Sequence, residues 1–354
     1  MADTLGKIKF CVFADAHYRK DMYCTTVDDL NAIFDRAKEN DVDFVMHLGD
    51  FCNYYVHSPE FTNAFLQNKY NYPVYGIYGN HELEGDGFMQ YVTPRLTNDR
   101  NVIWGTEDGK IGDGSVDYYY FEKNGIRIVC TSTAYSFCPE TNEWEHNRPG
   151  SWDCRSGNTS WGALNPVQLE WLRNVLIDAA NKGIPCIVAS HHGFCQLPGW
   201  YMDGPSCDRN KVIEIFKEVN AIRPKTVIMA INGHYHCNHI GIQDNILFFD
   251  VNTVNNGVWL PTADGHYTDE HTYPYTEYNC YGEPIEKSQK AYNTLIMGQN
   301  TYFFKDPLSA IVTVNGNGEF EIEGQETTWA YDIVPPTTKD GNMPSISSGK
   351  WTLE

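Results

Sequence analysis

The sequence predicts an α/β fold built on a largely parallel sheet. Two observations carry this. Through the first 80 residues, apolar strand-like runs alternate with helical-period stretches in the order βαβαβ. That order sets parallel strands side by side with helices packed on them. Each of these strands also stops on a polar cluster containing Asp, Asn or His. In α/β sheets, ligands bind in the crevice outside the carboxyl ends of the strands.

Residues 7–14 (KIKFCVFA) read as the first strand and end in DAHY. Residues 25–40 follow at helical period, with Leu30, Ile33, Phe34 and Ala37 on one face. Residues 43–48 form a short buried strand ending in GD, and residues 58–69 predict a helix with Ser58 as N-cap and Pro59 at its first position. Residues 73–78 are a strand ending in GNHE. The period then changes. Residues 117–133 predict a hairpin about Asn124-Gly125, a pair that favours a type I′ turn. After a long loop at 134–162, Asn165-Pro166 opens a helix that Gly183 closes. Residues 184–190 are a strand ending in His-His, residues 208–222 an amphipathic helix, and residues 226–231 a strand ending in NGHYH. A hairpin about Asp244-Asn245 is expected over 240–251. Residues 255–307 show no regular period and are rich in Tyr, Pro, Thr and His. Strand alternation returns over 308–323 about a Gly-Asn-Gly turn. That last hairpin has too little apolar surface to stand alone. One domain is therefore expected over residues 1–332, with long loops at about 134–162 and 255–307 and a loop-like tail at 333–354.

Composition removes several functional classes. The 354 residues carry 26 Lys and Arg against 46 Asp and Glu, a formal net charge of -20. A field of that sign repels phosphate backbones and anionic lipid, so no nucleic-acid polymer or membrane partner is expected. There is no apolar run long enough to span a bilayer. The opening MADTLGKIKF lacks the apolar core of a signal peptide, and a cytoplasmic location is the expectation. The 11 cysteines are odd in number, scattered, and free of CxxC pairs, which favours reduced thiols over a disulfide framework.

Metal-ligand residue types recur at the strand ends: Asp15 and His17, Asp50, Asn80 and His81, His191 and His192, then His234 and His236. Five strands delivering such groups to one edge can build one polar site. Asp15/His17 and His234/His236 are spaced two apart, which in extended backbone turns both side chains the same way. Gly49, Gly79 and Gly233 precede ligands and permit tight turns there. Carboxylate, imidazole and amide oxygen together suit two divalent ions of the Mn, Fe or Zn type. The seven ligands Asp15, His17, Asp50, Asn80, His191, His234 and His236 exceed one tetrahedral site. They fit two ions bridged by a carboxylate, roughly 3.5–4 Å apart. Such a centre is net positive inside an acidic protein and attracts a phosphate ester.

DAH, GD, GNHE, a strand-terminal His-His and GHYH, in that order, resemble the calcineurin-like metallophosphoesterase superfamily. The resemblance spans residues 8–236, with an extension to about 330. Singly these motifs are weak; in order, each after a strand, they are specific. The resemblance implies a four-layer α/β/β/α sandwich with two central mixed sheets, the hairpins at 117–133 and 308–323 both lying in the second sheet. It implies that Asp15, His17 and His236 hold one metal, that Asn80, His191 and His234 hold the other, and that Asp50 bridges them. It further implies in-line attack on phosphorus by a metal-held hydroxide, with His81 stabilising the transition state or protonating the leaving oxygen.

The chain also departs from family patterns. Three residues after the bridging Asp, the protein-phosphatase branch carries Asp, and here stands Asn53. Asn there is similar to some cyclic-nucleotide and glycerophosphodiester phosphodiesterases, so a diester is preferred over a monoester. His17 separates the chain from the purple acid phosphatase branch. The family's HxP reads His191-His192-Gly193, which leaves His192 as an alternative ligand. Arg19 and His239 are the other candidates for substrate contact. The rival readings are a nuclease of the same fold, disfavoured by charge, and a silent metal-binding scaffold, disfavoured by the complete ligand set. Oligomeric state stays open.

Overall fold

A computed structural model of the chain describes residues 6–18, 25–52, 58–81, 96–105, 117–133, 135–138, 143–146, 162–195, 208–255, 259–261, 272–278, 284–290, 295–296, 299–301, 303–330 and 344–354. The first half supplies β1 (Lys7–Phe13), α1 (Val27–Glu39), β2 (Phe44–His47), α2 (Ser58–Leu66) and β3 (Val74–Gly76). It continues with β4 (Ile103–Trp104), β5 (Tyr119–Lys123), β6 (Ile126–Cys130) and the small hairpin β7 (Tyr135–Cys138) and β8 (Glu143–His146). Then come α3 (Pro166–Lys182), β9 (Cys186–Ser190), α4 (Arg209–Ile222), β10 (Val227–Asn232), β11 (His239–Gln243) and β12 (Ile246–Asp250). The late segment carries β13 (Trp259–Pro261), β14 (Thr272–Tyr278), β15 (Pro284–Lys290), β16 (Leu295–Ile296) and β17 (Gln299–Thr301). The chain closes with β18 (Ala310–Asn315), β19 (Glu319–Glu323) and β20 (Gly349–Thr352).

Two mixed sheets form the centre. The first has the order β20-β19-β18-β1-β2-β3 and the second β11-β12-β10-β9-β6-β5-β4. Strands β1, β2 and β3 run parallel, as the βαβαβ alternation requires. In the second sheet β6, β9, β10 and β12 run parallel, with antiparallel hairpins at both edges.

Alternation along the strands decides the layers. On β1, Ile8, Phe10 and Val12 face the core between the sheets, while Cys11 and Phe13 face α1 and α2. On β9, Ile187 and Ala189 face that central core, while Cys186 and Val188 face α3 and α4. Each strand is apolar on both sides because each sheet is covered on both sides. The result is helix, sheet, sheet, helix: the four-layer α/β/β/α sandwich.

Helices α1 and α3 end where their sequences say, whereas α2 includes Ser58 and stops at Leu66, short of the expected 69. Thr26 and Asp29 form a reciprocal capping box on α1, and Leu30, Ile33, Phe34 and Ala37 are its buried stripe. Asn165 caps α3, Pro166 starts it, and Gly183 ends it at φ 71°. Buried Arg127 fastens α3 to the second sheet. It donates to Glu122, to Asp178 and to the Val175 carbonyl (2.7 Å). Arg127→Met should cost about 1–3 kcal/mol, because the Val175 carbonyl loses its side-chain donor, Glu122 loses the guanidinium and Asp178 is left with Lys182. A urea midpoint unchanged in the variant would refute this.

Three expectations are corrected. The 308–323 hairpin lies in the first sheet: β18 pairs antiparallel with β1 (Phe10↔Val312), and only the 117–133 hairpin belongs to the second. The reason is the free edge of β1 opposite β2. The tail is not loop-like at its end. β20 pairs with β19 (Phe320↔Trp351), Trp351 packs against the central core, and the Asn245 side-chain amide exchanges two hydrogen bonds with the Glu354 backbone. Within 255–307, short strands β13–β17 pair among themselves, apart from the central sheets. Beyond them Phe303 and Phe304 return to the interior.

Candidate metal centre

The strand-end polar residues converge at the seam where the carboxyl ends of both sheets meet. Asp15 and His17 follow β1, Asp50 follows β2, and Asn80 and His81 follow β3. His191 and His192 follow β9, and His234 and His236 follow β10. All of these are buried except His81 and His236, whose side chains keep 15% and 11% exposure.

The backbone that aims them is not the extended backbone expected from the spacing of two. Asp15 (φ 52°), His17 (φ 46°), Asp50 (φ 52°), His234 (φ 71°) and His236 (φ 48°) all adopt the left-handed conformation. Each such residue costs about 1–3 kcal/mol and persists only where surrounding contacts impose it. Those contacts are present. The Asp15 amide donates to the Gly49 carbonyl (3.0 Å), the His17 amide to the Asp50 carbonyl (2.9 Å), and the Thr253 hydroxyl to the Asp15 carbonyl (2.7 Å). The His234 amide donates to the Asp15 carboxylate (2.9 Å), stitching the first sheet's loop to the second's. Of the glycines, Gly49 is itself left-handed (φ 92°). Gly233 is needed for close approach, since a Cβ there would sit 2.6 Å from Asp15 Oδ2.

Two closely spaced donor clusters result. Asp15, His17 and His236 form one. His17 Nε2 lies 3.0 Å from His236 Nε2, and His236 Nε2 lies 3.5 Å from Asp15 Oδ1. His191, His192 and His234 form the other, with Asn80 Oδ1 3.2 Å from His191 Nε2. Asp50 stands between them: its Oδ2 is 3.2 Å from His191 Nε2 and 3.7 Å from His17 Nε2. Its Oδ1 accepts the His81 amide (2.9 Å).

These residues fit a binuclear divalent metal site. Both ring nitrogens of His234 are buried without a hydrogen-bond partner, which a cation would relieve. Burial, and then the neighbouring rings of His192 and His191, hold His234 well below the ordinary histidine value, in the neutral form a ligand needs. Burial alone would raise Asp50. The imidazoles of His191, His81 and His17 outweigh it and keep the carboxyl ionised well below its usual range. The donor set of imidazole, carboxylate and amide oxygen tolerates Mn, Fe and Zn alike.

His191 and His192, the alternative ligands, both stand in the second cluster but have different partners. His191 Nδ1 donates to the Leu48 carbonyl (2.8 Å), directing Nε2 at Asp50 and Asn80. His192 contacts the His234 ring (4.2 Å between centroids), and its Nδ1 is 2.7 Å from the Thr133 hydroxyl. Sequence reasoning missed Thr133. The polar run Thr131-Ser132-Thr133 after an apolar strand was its signal. Gln168 of α3 fixes that run by bonding Ser132 through both its amide and its carbonyl. His239 does not join the two clusters. It pairs with Asp250 at 2.6 Å. Arg19 and Asn53 lie outside the described residues.

His191 sets a pH dependence for the metal-free protein. Burial disfavours its imidazolium, but Asp50, with Asp15 behind it, prevails and brings its pKa from 6.5 up to about 9. The folded value is raised, so the stability gained is fully present below about pH 6.5 and is lost as pH rises through about 9. Metal displaces the same proton, so metal affinity should rise across that window. The thermal midpoint of metal-free protein should therefore fall across that window while the increment from added Mn²⁺ grows. A metal-free midpoint that climbs there would overturn the assignment.

The four-layer architecture and paired donor clusters define a metal-dependent hydrolase. The chain matches Calcineurin-like phosphoesterase over residues 8–238 and belongs to that family. No curated protein matches it in sequence. Among solved structures it is similar to a dimetal phosphatase from Danio rerio, with 15% identity, 98% of this chain and 99% of that one covered, and a TM-score of 0.54. That likeness reflects a shared fold. The GAP50 anchor of the Plasmodium inner membrane complex is similar at 10% identity, over 99% and 90% of the two chains, with a TM-score of 0.46. A purple acid phosphatase from yellow lupin seeds is similar at 11% identity, over 97% and 53%, with a TM-score of 0.46. No helix among the described residues is long and apolar enough to cross a membrane.

Proposed function

We propose that the chain hydrolyses a small phosphodiester or phosphomonoester, with the diester preferred. The observation that carries this is the convergence of seven oxygen and nitrogen donors on one seam, with His81 at its open rim. Asp15, His17 and His236 would hold one ion, Asn80, His191 and His234 the other, and Asp50 would bridge. Two divalent ions bound there supply activation of water and neutralisation of charge on the phosphoryl oxygens.

The chain's own groups do the rest. Asp50 accepts the His81 amide and so fixes the start of the His81 segment against the bridging carboxylate. The His81 ring lies edge-on to His17, 4.6 Å between centroids, with Nε2 3.9 Å from Asp50 Oδ2. Beside that carboxylate and partly exposed, His81 is suited to hold a proton and deliver it to a leaving oxygen. The Leu48 carbonyl fixes the His191 tautomer, as outer partners of metal-bound histidines do. The diester preference rests on Asn53 alone, and the small substrate on the net charge of -20.

The test is hydrolysis of bis-p-nitrophenyl phosphate against p-nitrophenyl phosphate by Mn²⁺-loaded protein. Turnover of both, faster for the diester, is expected. No turnover of either would sink the reading, and a faster monoester would reverse the preference.

A further inference from the structure

We propose a second, separate metal site, one thiolate-ligated ion held by Cys195, His239 and Asp250. None of these belongs to the seven-donor centre. The register of the second sheet brings them together: His239, first residue of β11, stands directly across from Asp250, last residue of β12. The chain leaving β9 past His191 and His192 carries Cys195 over the same strand end.

Their atoms form a compact trio. Cys195 Sγ lies 3.6 Å from Asp250 Oδ2, His239 Nδ1 lies 2.6 Å from the same oxygen, and one donor atom from each of the three falls within 4.8 Å of the others. Four-coordinate Zn²⁺, with bonds of about 2.0 Å to oxygen and nitrogen and about 2.3 Å to sulfur, sets sulfur–oxygen edges near the observed separation. The imidazole nitrogen has to move back from 2.6 Å to about 3.3 Å from that oxygen to share a tetrahedral ion, a shift open to His239, whose side chain is 32% exposed at an edge strand.

Charge favours an ion here. Asp250 is fully buried, and among the described residues its polar side-chain partners are one imidazole and one thiol, with no lysine or arginine bonded to it. A buried carboxylate is stable when paired or when it coordinates a metal. Binding one Zn²⁺ releases one proton, from the Cys195 thiol, and shifts the imidazole proton from Nδ1 to Nε2. The resulting thiolate and carboxylate balance the ion's two charges. The donor set of sulfur, nitrogen and oxygen selects zinc over the harder ions that the seven-donor centre tolerates. Three protein ligands leave a fourth position on the exposed His239 side, open to water. The loops bearing His191 and His236 would then be tied together by an ion that neither residue touches.

Cobalt distinguishes this site from the other. The seven-donor centre has no sulfur, so only a thiolate-bound Co²⁺ gives a near-ultraviolet charge-transfer band. Metal-free wild type titrated with Co²⁺ should develop that band and reach, at saturation of all sites, the intensity of one thiolate-bound ion per chain. Cys195→Ser should lose the band, and His239→Gln should shift its saturation to higher Co²⁺. Absence of the band in folded wild type would overturn the proposal and leave the trio a hydrogen-bonded strut. A band that persists in Cys195→Ser would overturn it too, by assigning the thiolate elsewhere. Absence of the wild-type band rules the site out even if a variant does not fold, His239→Gln tests the assignment without removing a thiol, and the spectrum reads independently of any ester hydrolysis.

Discussion

Asp50→Asn should reduce kcat/KM for bis-p-nitrophenyl phosphate by more than the roughly 100-fold that losing an outer partner of a metal ligand costs. The substitution keeps shape and removes charge. That charge is what His17, His81 and His191 all approach, within 3.7, 3.9 and 3.2 Å of one oxygen. Without it, two cations would face a ring of imidazoles with no shared anion. Metal analysis of the same variant should show at least one ion per chain fewer than wild type. Undiminished hydrolysis with full metal content would end the assignment of Asp50 as the bridge.

His81→Ala should lower kcat by roughly 100-fold or more, the scale of general acid–base catalysis, with both ions retained. The loss should be greater for an alkyl leaving group than for p-nitrophenolate, which departs readily without a proton. Metal retention with a leaving-group-dependent loss identifies a proton donor. Equal loss for both leaving groups, together with loss of an ion, would make His81 a ligand instead. That distinction has to be drawn by experiment, because the His81 ring, with Nε2 3.9 Å from Asp50 Oδ2, also forms a donor trio with His17 and Asp50.

Much of this was legible in the chain. The βαβαβ alternation and strand ends foretold the parallel strands and placed every donor at a carboxyl edge. The Asn124-Gly125 and Asp244-Asn245 turns adopt left-handed conformations at both positions, as those pairs favour. What escaped was long-range partnering. The sheet that accepts the 310–323 hairpin depends on the free edge of β1, and local alternation does not encode it. Strand β20 is four residues long, too short for a period to register. The left-handed turns at Asp15, His17, Asp50, His234 and His236 run against local preference, and only the contacts between loops impose them. Thr133, Leu48 and Asp250 act through neighbours distant in sequence, so a reading by motif passes over them.

The seam between the sheets has a consequence for assembly. Neither ion of the seven-donor centre would have all its donors on one sheet. Asp15 and His17 come from the first and His236 from the second; Asn80 comes from the first and His191 and His234 from the second. A half-folded chain with one sheet formed thus offers fragments of two coordination spheres and no complete one. Ions would act as rivets set after the plates are aligned. Capture would follow docking of the two halves, and chelation would loosen the joint between them before it melted either half.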